Sequence, residues 1–359
     1  MFETTDKSKI QNPKSEIGFG VIGCGWVARD YGIPAITEAV NANLVAVCDT
    51  NFENLKTIAP GDEKLRRTTD VNAFLNCENL DAVYIATPND SHCVLTEKCA
   101  AAGKHVLCEK PMATNFEDAA AMTAACEKFG VQYATAFDQR FQARHLRLKN
   151  LIDAGKLGAI SAVRIHYACW LPADWCAENW RVDEKIAGGG AFIDLAPHGI
   201  DLAQFLIGQT LTDFACFFQR KIHDYAVDDG AAAIGKFADE TLLSLNVAYN
   251  CPDEYPRRTL EIVGTKAMAT ATNTMGQTAG GNLILIDKNG ERTEIEVAEA
   301  DDVSPFRRQI EVYADCLLNG KQFPFTPAQD LATMRIICGA MENRGEMENG
   351  KWKMENGKS

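Results

Sequence analysis

Three side chains capable of acid–base chemistry stand at two places in this sequence. Lys110 follows the compact apolar run 105–108, which predicts a buried strand that ends in an ammonium group. Asp194 and His198 are four residues apart and would share one face of a helix. A carboxylate that orients an imidazole is a recurring acid–base arrangement. Each feature also has a structural interpretation, because charged residues often close strands and buried histidines often hydrogen-bond to aspartates for stability alone.

A glycine-rich turn supplies a second kind of site. The segment Gly23-Cys24-Gly25-Trp26-Val27-Ala28 has the pattern Gly-x-Gly-x-x-Ala and lies between a predicted strand and a predicted helix. In that context Gly23 permits the tight turn, Gly25 lets the backbone approach a pyrophosphate, and Ala28 lets helix and strand pack closely. The helix N-terminus then presents free N–H groups to phosphates. The pattern therefore predicts a dinucleotide site.

Asp49 ends the next apolar run, where an acid can hydrogen-bond to ribose hydroxyls. Its carboxylate would repel a 2′-phosphate, and the following Thr50 and Asn51 offer no cation to hold one. The sequence therefore favours NAD over NADP. The alternative is that Asp49 only caps the next helix.

The pattern of the elements predicts an α/β protein with two domains. Continuous apolar runs alternate with helical segments over residues 16–137, which indicates a parallel, doubly covered Rossmann sheet. Because ligands bind at the carboxyl ends of such strands, Gly25, Asp49, Asn89 and Lys110 are expected along one rim. Residues 138–341 alternate more, and Asn289-Gly290 signals a hairpin, so a largely antiparallel sheet is expected there. Residues 1–15 and the repetitive polar tail 342–359 are expected to be loosely ordered.

Composition excludes several classes of function. The net charge of −13 and the pI of about 5.0 argue against binding to nucleic acid or anionic membranes. No signal-peptide or membrane-spanning run is visible, and the 13 cysteines form no Cys-x-x-Cys or zinc-type spacing. We expect a cytoplasmic protein with free thiols and no metal site.

The chain resembles the Gfo/Idh/MocA family of NAD(P)-dependent oxidoreductases. The matching pieces follow the family's order: the glycine turn, "ATPNDSH" (86–92), "CEKPMA" (108–113), "RFQ…LIDAGKLGAI" (140–160), "NWRVDEKIAGGGAFIDLAPHGIDL" (179–202) and "EIVGTKA" (261–267). The resemblance implies that the second domain carries a large open sheet. It also implies that Lys110 lies near the nicotinamide, often with a cis Lys–Pro bond, and that Asp194 and His198 contact substrate hydroxyls. Trp180 and Arg181 would lie near cofactor and substrate. The chain departs from the family at Asp138-Gln139, where Asn is frequent.

Motifs and resemblance together assign the site. Cofactor contacts are expected from Gly23, Gly25, Trp26, Val27, Asp49, Thr87, Asn89, His92, Glu109, Lys110 and Gln139, and substrate contacts from Lys110, Trp180, Arg181, Asp194 and His198. His198 is the expected proton acceptor, Asp194 would orient it, and Lys110 would hydrogen-bond to the reacting oxygen; Lys110 as the base is the alternative. The aromatic residues Tyr167, Trp170, Trp175 and Trp180 could stack on a sugar or simply pack.

The expected activity is hydride transfer between NAD and a secondary alcohol or ketone of a sugar or cyclitol-like polyol. One alternative is an NAD-dependent glycoside hydrolase that acts by transient oxidation. A non-catalytic sensor of NAD or sugar and a reductase of a linear tetrapyrrole are further alternatives. By analogy with the family, a homo-oligomer, either a dimer or a tetramer, is expected.

Overall fold

The computed structural model describes residues 14–172 and 179–343. Most of the N-terminal and C-terminal segments expected to be loosely ordered lie outside these ranges, as does Trp175. Every helix in the described ranges falls short of the length and apolarity that crossing a membrane requires. The same residues contain no group of three or more His, Cys, Asp or Glu side chains arranged to hold a metal ion.

Six parallel strands form the first sheet. They are β1 (Ile17–Ile22), β2 (Ala42–Cys48), β3 (Arg66–Thr68), β4 (Ala82–Ile85), β5 (His105–Cys108) and β6 (Tyr133–Thr135), in the order β3-β2-β1-β4-β5-β6. Their helices are α1 (Ile33–Glu38), which continues a π-helical turn at Ala28–Gly32, α2 (Phe52–Lys56), α3 (Val71–Leu75), α4 (His92–Ala101) and α5 (Phe116–Phe129). The strand order reverses between β1 and β4, and a dinucleotide binds at that point in a Rossmann sheet. The predicted Rossmann fold is confirmed.

Eight strands form the second sheet, which confirms the expected large, mostly antiparallel sheet. They are β7 (Ile160–Ala168), β8 (Leu211–Gln219), β9 (Gly230–Phe237), β10 (Leu242–Ala248), β11 (Arg258–Gly264), β12 (Ala267–Thr272), β13 (Asn282–Asp287) and β14 (Arg292–Glu294). The order is β14-β13-β12-β11-β7-β10-β9-β8, and the β7–β10 pair is parallel while the other neighbours are antiparallel. The hairpin predicted at Asn289-Gly290 joins β13 to β14.

The remaining helices cover the second sheet and join it to the first. They are α6 (Ala143–Asp153), α7 (Glu184–Ala187), α8 (Ala191–Ile207), α9 (Pro305–Leu318) and α10 (Pro327–Glu342). The helix α8 lies on β7 and β10, while α9 returns to pack on α1 and α10 packs on both α5 and α8. On β10, Leu243, Leu245 and Val247 are buried beneath α8, and the alternating residues face outward.

The start of α8 is held by an aspartate from the second sheet. Asp228 accepts hydrogen bonds from the backbone N–H groups of Gly190 at 2.9 Å and Phe192 at 2.8 Å. These N–H groups have no partner within the helix, so the carboxylate caps it. Gly190 must be glycine, because a Cβ there would lie 2.0 Å from the carbonyl oxygen of Asp228. This cap fixes the helix that carries Asp194 and His198.

A buried ion cluster joins the end of the first sheet to α8. Arg140, in the 3₁₀ turn Asp138–Phe141 that follows β6, donates to Asp201 on α8 and, at 2.8 Å, to Asp330 on α10. Asp201 is only 2% exposed. The helix is buried nearly throughout, so its polar residues find partners in the protein.

Candidate functional site

The glycine turn has the geometry that a dinucleotide requires. Gly23 has φ = +88°, and a Cβ there would lie 2.6 Å from the carbonyl oxygen of Ala86. A Cβ on Gly25 would meet nothing within 4 Å, so the backbone there borders open space at the start of the first helix. Ala28 is fully buried against the sheet. The residues present therefore fit a bound pyrophosphate.

Asp49 joins two loops at the carboxyl end of β2. Its Oδ2 accepts from the N–H of Cys24 at 2.7 Å, and its Oδ1 accepts from the N–H of Asn51 at 2.8 Å. The helix α2 is capped instead by Asn51, whose side chain accepts from the N–H of Glu53 at 3.0 Å. The alternative role of Asp49 as the helix cap is thus set aside. Its carboxylate lies beside the glycine turn, as ribose binding requires.

His92 lies beneath the rim and not on it. The ring is fully buried, with Nδ1 3.0 Å from the carbonyl oxygen of Pro111 and Nε2 3.0 Å from that of Thr87. The expected direct cofactor contact is therefore corrected, because both ring nitrogens face backbone carbonyls. His92 instead holds the loop after β4 against the loop after β5. Asn89 on the first of these loops donates from Nδ2 to the carbonyl oxygen of Ala187 at 2.8 Å.

Lys110 reaches from the first sheet to α8. The Lys110–Pro111 peptide bond is cis, as the family resemblance implies. Its Nζ donates to Oδ1 of Asp194 at 2.8 Å and to the carbonyl oxygen of Asp194 at 3.0 Å. Pro197 lies inside α8, where it removes a helical hydrogen bond. The ammonium thus supplies a donor to the backbone next to the helical turn that the proline weakens.

Asp194 is held from two sides. Its Oδ2 accepts a hydrogen bond of 2.7 Å from the hydroxyl of Tyr249, which follows β10 and is 1% exposed. Burial by itself would raise the pKa of Asp194, but the charges of Lys110 and Arg181 outweigh it and hold this pKa well below its usual range. Asp194 is therefore a carboxylate at neutral pH, and both of its oxygens have donors.

His198 faces a different acid from the one predicted. Its Nδ1 lies 3.2 Å from Oδ1 of Asp138, at an angle that is not a well-aligned hydrogen bond. The spacing predicted Asp194 as the orienting acid, but its two carboxylate oxygens accept hydrogen bonds from Lys110 and Tyr249 instead. Burial, followed by the charge of Lys110, lowers the pKa of His198. The imidazole is therefore neutral near pH 7.

Gln139 supports Asp138. It is 1% exposed, and its Nε2 donates to Oδ2 of Asp138 at 2.8 Å and to the carbonyl oxygen of Gly276 at 3.2 Å. The amide group that was expected to contact the cofactor is thus turned into the protein, which corrects that expectation.

Glu109 is a buried acid beside Lys110. Burial raises its pKa to about 7, while the charge of Lys110 and a hydrogen bond from the hydroxyl of Tyr84 oppose the rise. The negative charge of Asp138 contributes to the rise. Glu109 therefore titrates near neutrality at the edge of the site.

One cleft collects most of the predicted residues from both domains. It is lined by Gly25, Trp26, Val27, Ala86, Thr87, Asn89, Glu109, Lys110, Trp180, Arg181 and Asp194. The guanidinium of Arg181 stacks on the ring of Trp180, with its carbon 4.5 Å from the ring centroid. The glycine turn, the lysine and the aspartate on α8 thus border the same space.

The three predicted aromatic residues that lie in the described ranges, Tyr167, Trp170 and Trp180, have different packing partners. Tyr167 packs edge-to-face on His198 with a centroid distance of 5.4 Å, whereas Trp170 packs on His223 at 4.8 Å. Trp180 stacks with Arg181 instead. Packing therefore accounts for Tyr167 and Trp170 without a ligand.

Two site residues were not predicted from the sequence. Tyr249 ends an alternating strand and carries no motif that would single it out. Asp138 follows β6 and so stands at the carboxyl edge of the first sheet, the same signal that singled out Asn89 and Lys110. That position could have identified it.

Comparison with known proteins agrees with this geometry. The model of the oxidoreductase family, NAD-binding Rossmann fold, matches residues 17–137, and the model of the GFO/IDH/MocA C-terminal domain matches residues 145–270. The 1,5-anhydro-D-fructose reductase of Ensifer adhaerens is 27% identical over 336 residues, which are 92% of this chain and 99% of that protein. The myo-inositol 2-dehydrogenase of Thermotoga maritima is 26% identical over 281 residues, 76% of this chain and 79% of that protein.

Solved structures share the fold at lower sequence identity. The crystal structure of the aldose-aldose oxidoreductase from Caulobacter crescentus, complexed with glycerol, aligns with a TM-score of 0.82 and 24% identity. The alignment covers 92% of this chain and 97% of that one. Both matched family models and the shared fold lead to one conclusion: this chain belongs to the Gfo/Idh/MocA family of oxidoreductases, and the domain built on its first sheet is an NAD-binding Rossmann domain.

Proposed function

We propose that this protein oxidises a secondary hydroxyl of a sugar or cyclitol-like polyol to a ketone, or catalyses the reverse reaction, with NAD. The observation that carries the proposal is the contact between Lys110 and Asp194 across the cleft that Gly25 also lines. It puts a cation and a carboxylate beside the cofactor turn. Two relatives whose names specify 1,5-anhydro-D-fructose and myo-inositol support this class of substrate.

The cofactor is held by the first domain. Gly23 and Gly25 would accommodate the pyrophosphate at the helix N-terminus, and Asp49 would hydrogen-bond to the ribose. The exposed Thr50 and the helix cap Asn51 supply no positive charge for a 2′-phosphate, which favours NAD over NADP. When bound, NAD supplies a nicotinamide ring that exchanges a hydride with the carbinol carbon.

Lys110 and Asp194 bind the reacting hydroxyl group. An ammonium donates hydrogen bonds to an oxygen on which negative charge develops, and such stabilisation acts strongly in a water-poor site. Asp194 holds Nζ of Lys110 in place and is itself held by Tyr249. Arg181 and Trp180, which line the same cleft, would contact the rest of the polyol.

His198 is the proposed proton acceptor. Its low pKa keeps the imidazole neutral and able to take the hydroxyl proton near pH 7. In the reverse direction the same imidazole, once protonated, would return that proton to the carbonyl oxygen.

The outer face of the second sheet is the proposed oligomer interface. Phe217, Ile234 and Leu242 are 52%, 58% and 51% exposed and lie on one face of β8, β9 and β10. Such an apolar patch on a soluble protein indicates an interaction surface. We expect a second copy to cover it, in a dimer or a tetramer. Light scattering of the wild type and of Ile234→Asp tests this, and a monomeric wild type would contradict it.

A substrate panel tests the activity. Sugars, anhydrosugars and cyclitols with NAD, and their keto forms with NADH, would be followed by the nicotinamide absorbance. Turnover of one class, with NAD preferred to NADP, is expected. Turnover of no member by a protein that binds NAD would contradict the proposal.

A further inference from the structure

We infer that Asp138 is the positioning residue of His198: it holds the ring so that Nδ1 carries the hydrogen and Nε2 is free to accept a proton. The inference rests on the proposed role of His198 and adds the residue that prepares it. The four-residue spacing between Asp194 and His198 had predicted this role for Asp194. The structure supports Asp138 through three independent sets of contacts.

The first is the pair itself. Nδ1 of His198 and Oδ1 of Asp138 are 3.2 Å apart, and the two side chains are 8% and 3% exposed. Both atoms are shielded from solvent, and neither has a hydrogen-bond partner elsewhere among the described residues. A bare Nδ1 lone pair facing a carboxylate oxygen would be repulsive, so the hydrogen belongs on Nδ1. The bent angle is ordinary for a catalytic contact in a ligand-free site.

The second is the support of the carboxylate. Gln139 donates to Oδ2 of Asp138 at 2.8 Å and is itself anchored on the carbonyl oxygen of Gly276 at 3.2 Å. The loop that contains Gly276 is further tied down by His145, which contacts the carbonyl oxygen of Gln139 and the hydroxyl of Thr274 at 2.9 Å each. Oδ1 therefore points toward His198 in a fixed orientation.

The third is the connection between the two backbones. Asp138 begins the 3₁₀ turn that contains Arg140, and Arg140 donates to Asp201, which lies three residues after His198 on α8. The side chains of Asp138, Arg140 and Asp201 are all buried. The ion pair thus fixes the spacing between the turn that carries the acid and the helix that carries the imidazole.

Several charged or titratable groups surround His198. Lys110 faces it from the loop after β5 and favours the neutral ring, whereas Asp138 and Asp194 favour the charged ring. Tyr167 packs on it from β7, and the guanidinium of Arg258 on β11 lies 5.8 Å from the Tyr167 ring centroid. Removal of the Asp138 charge should therefore lower the pKa of His198 further.

The test combines spectroscopy with kinetics. In the ligand-free wild type, imidazole ¹⁵N spectra assigned with His198→Gln should show Nδ1 protonated and Nε2 bare; the opposite tautomer would overturn the inference. In Asp138→Asn, we expect kcat to fall at least about tenfold, with KM for NAD changed by less than about threefold. The acid limb of the kcat/KM profile for polyol oxidation should move to lower pH.

Asp330→Asn is the matched control. Asp330 is also a buried carboxylate, and it accepts hydrogen bonds from Arg140 and from the backbone N–H of Thr135 rather than from His198. The Asp330→Asn variant should lose stability, while the His198 tautomer and the acid limb of the kcat/KM profile stay unchanged. If Asp138→Asn behaves like this control, Asp138 is only structural. The ¹⁵N measurement needs no substrate, so a failure of the proposed activity would be seen separately from a failure of this pairing.

Discussion

The ammonium of Lys110 lies 2.8 Å from Oδ1 of Asp194, and the two side chains are only 13% and 21% exposed. Lys110 follows the strand β5 of the Rossmann sheet by two residues, and Asp194 lies on the helix that covers the second sheet. The contact therefore joins the cofactor domain to the proposed substrate domain at the point where chemistry is expected. It also explains why a buried strand ends in an ammonium group.

Replacement of Lys110 by methionine should abolish most of the activity. Loss of one donor to a developing oxyanion costs about 10²–10³-fold in kcat, and the buried carboxylate of Asp194 would lose its partner. We expect this loss with NAD affinity nearly unchanged, as measured by steady-state kinetics and titration calorimetry. The exposed Lys98→Met on α4 is the control and should behave like the wild type. A Lys110→Met protein with wild-type kcat would refute the role of the ammonium.

Replacement of Gly25 by valine should remove NAD binding without harm to the fold. A Cβ there would meet no atom within 4 Å apart from its chain neighbours, but the valine side chain would occupy the proposed pyrophosphate position. In thermal unfolding, saturating NAD should stabilise the wild type, by about 2.7 kcal/mol at a hundredfold excess over Kd, and should leave Gly25→Val unchanged. Gly339→Ala in α10, also in open space, should keep the NAD response. An equal response in Gly25→Val would place the cofactor elsewhere.

Glu109 should make stability depend on pH. Its pKa of about 7 lies above the ordinary value, so the folded state holds its proton more tightly than the unfolded state. The stabilisation is complete below the ordinary pKa and is lost as pH rises through 7. Glu109→Gln keeps the group neutral, so the variant should gain free energy of unfolding relative to the wild type between about pH 5 and pH 8. A difference that stays constant with pH in urea unfolding would contradict this.

Tyr249→Phe should weaken the support of Asp194. The hydroxyl is buried and donates to Oδ2 at 2.7 Å, so its loss should lower the free energy of unfolding by about 1–2 kcal/mol. We also expect kcat to fall severalfold, because Asp194 would hold Lys110 less firmly. Tyr255→Phe is the control, since Tyr255 is 62% exposed. Unchanged kcat and stability in Tyr249→Phe would mean that this hydrogen bond does not position the site.

The sequence was most informative where local chemistry decides the structure. The glycine at position 23 permits a positive φ, apolar runs between helices indicate a parallel sheet, and Asn289-Gly290 favours a tight turn. These requirements are local, and the structure confirms the elements they predicted. The edge strand β3 (Arg66–Thr68) contains no apolar residue, so a search for apolar runs could not find it.

The partners of the site residues were harder to predict. Spacing correctly placed Asp194 and His198 on one helix, but it could not show that Lys110 and Tyr249 would take both oxygens of Asp194. Those contacts span 84 and 55 residues of sequence, so only the tertiary fold creates them. The prediction for His92 was wrong for the same reason. Its partners after β5, the carbonyl oxygens of Pro111 and Met112, come close to it only when β4 and β5 pair in the sheet.

The ratio of NADH to ketone product tests the central claim most directly. With an active polyol from the panel and NAD, we predict one NADH for each ketone formed by the wild type and neither product with Lys110→Met. Cleavage of a glycoside without net NADH would contradict this account and favour hydrolysis by transient oxidation. Tight NAD binding with no product at all would favour a sensor.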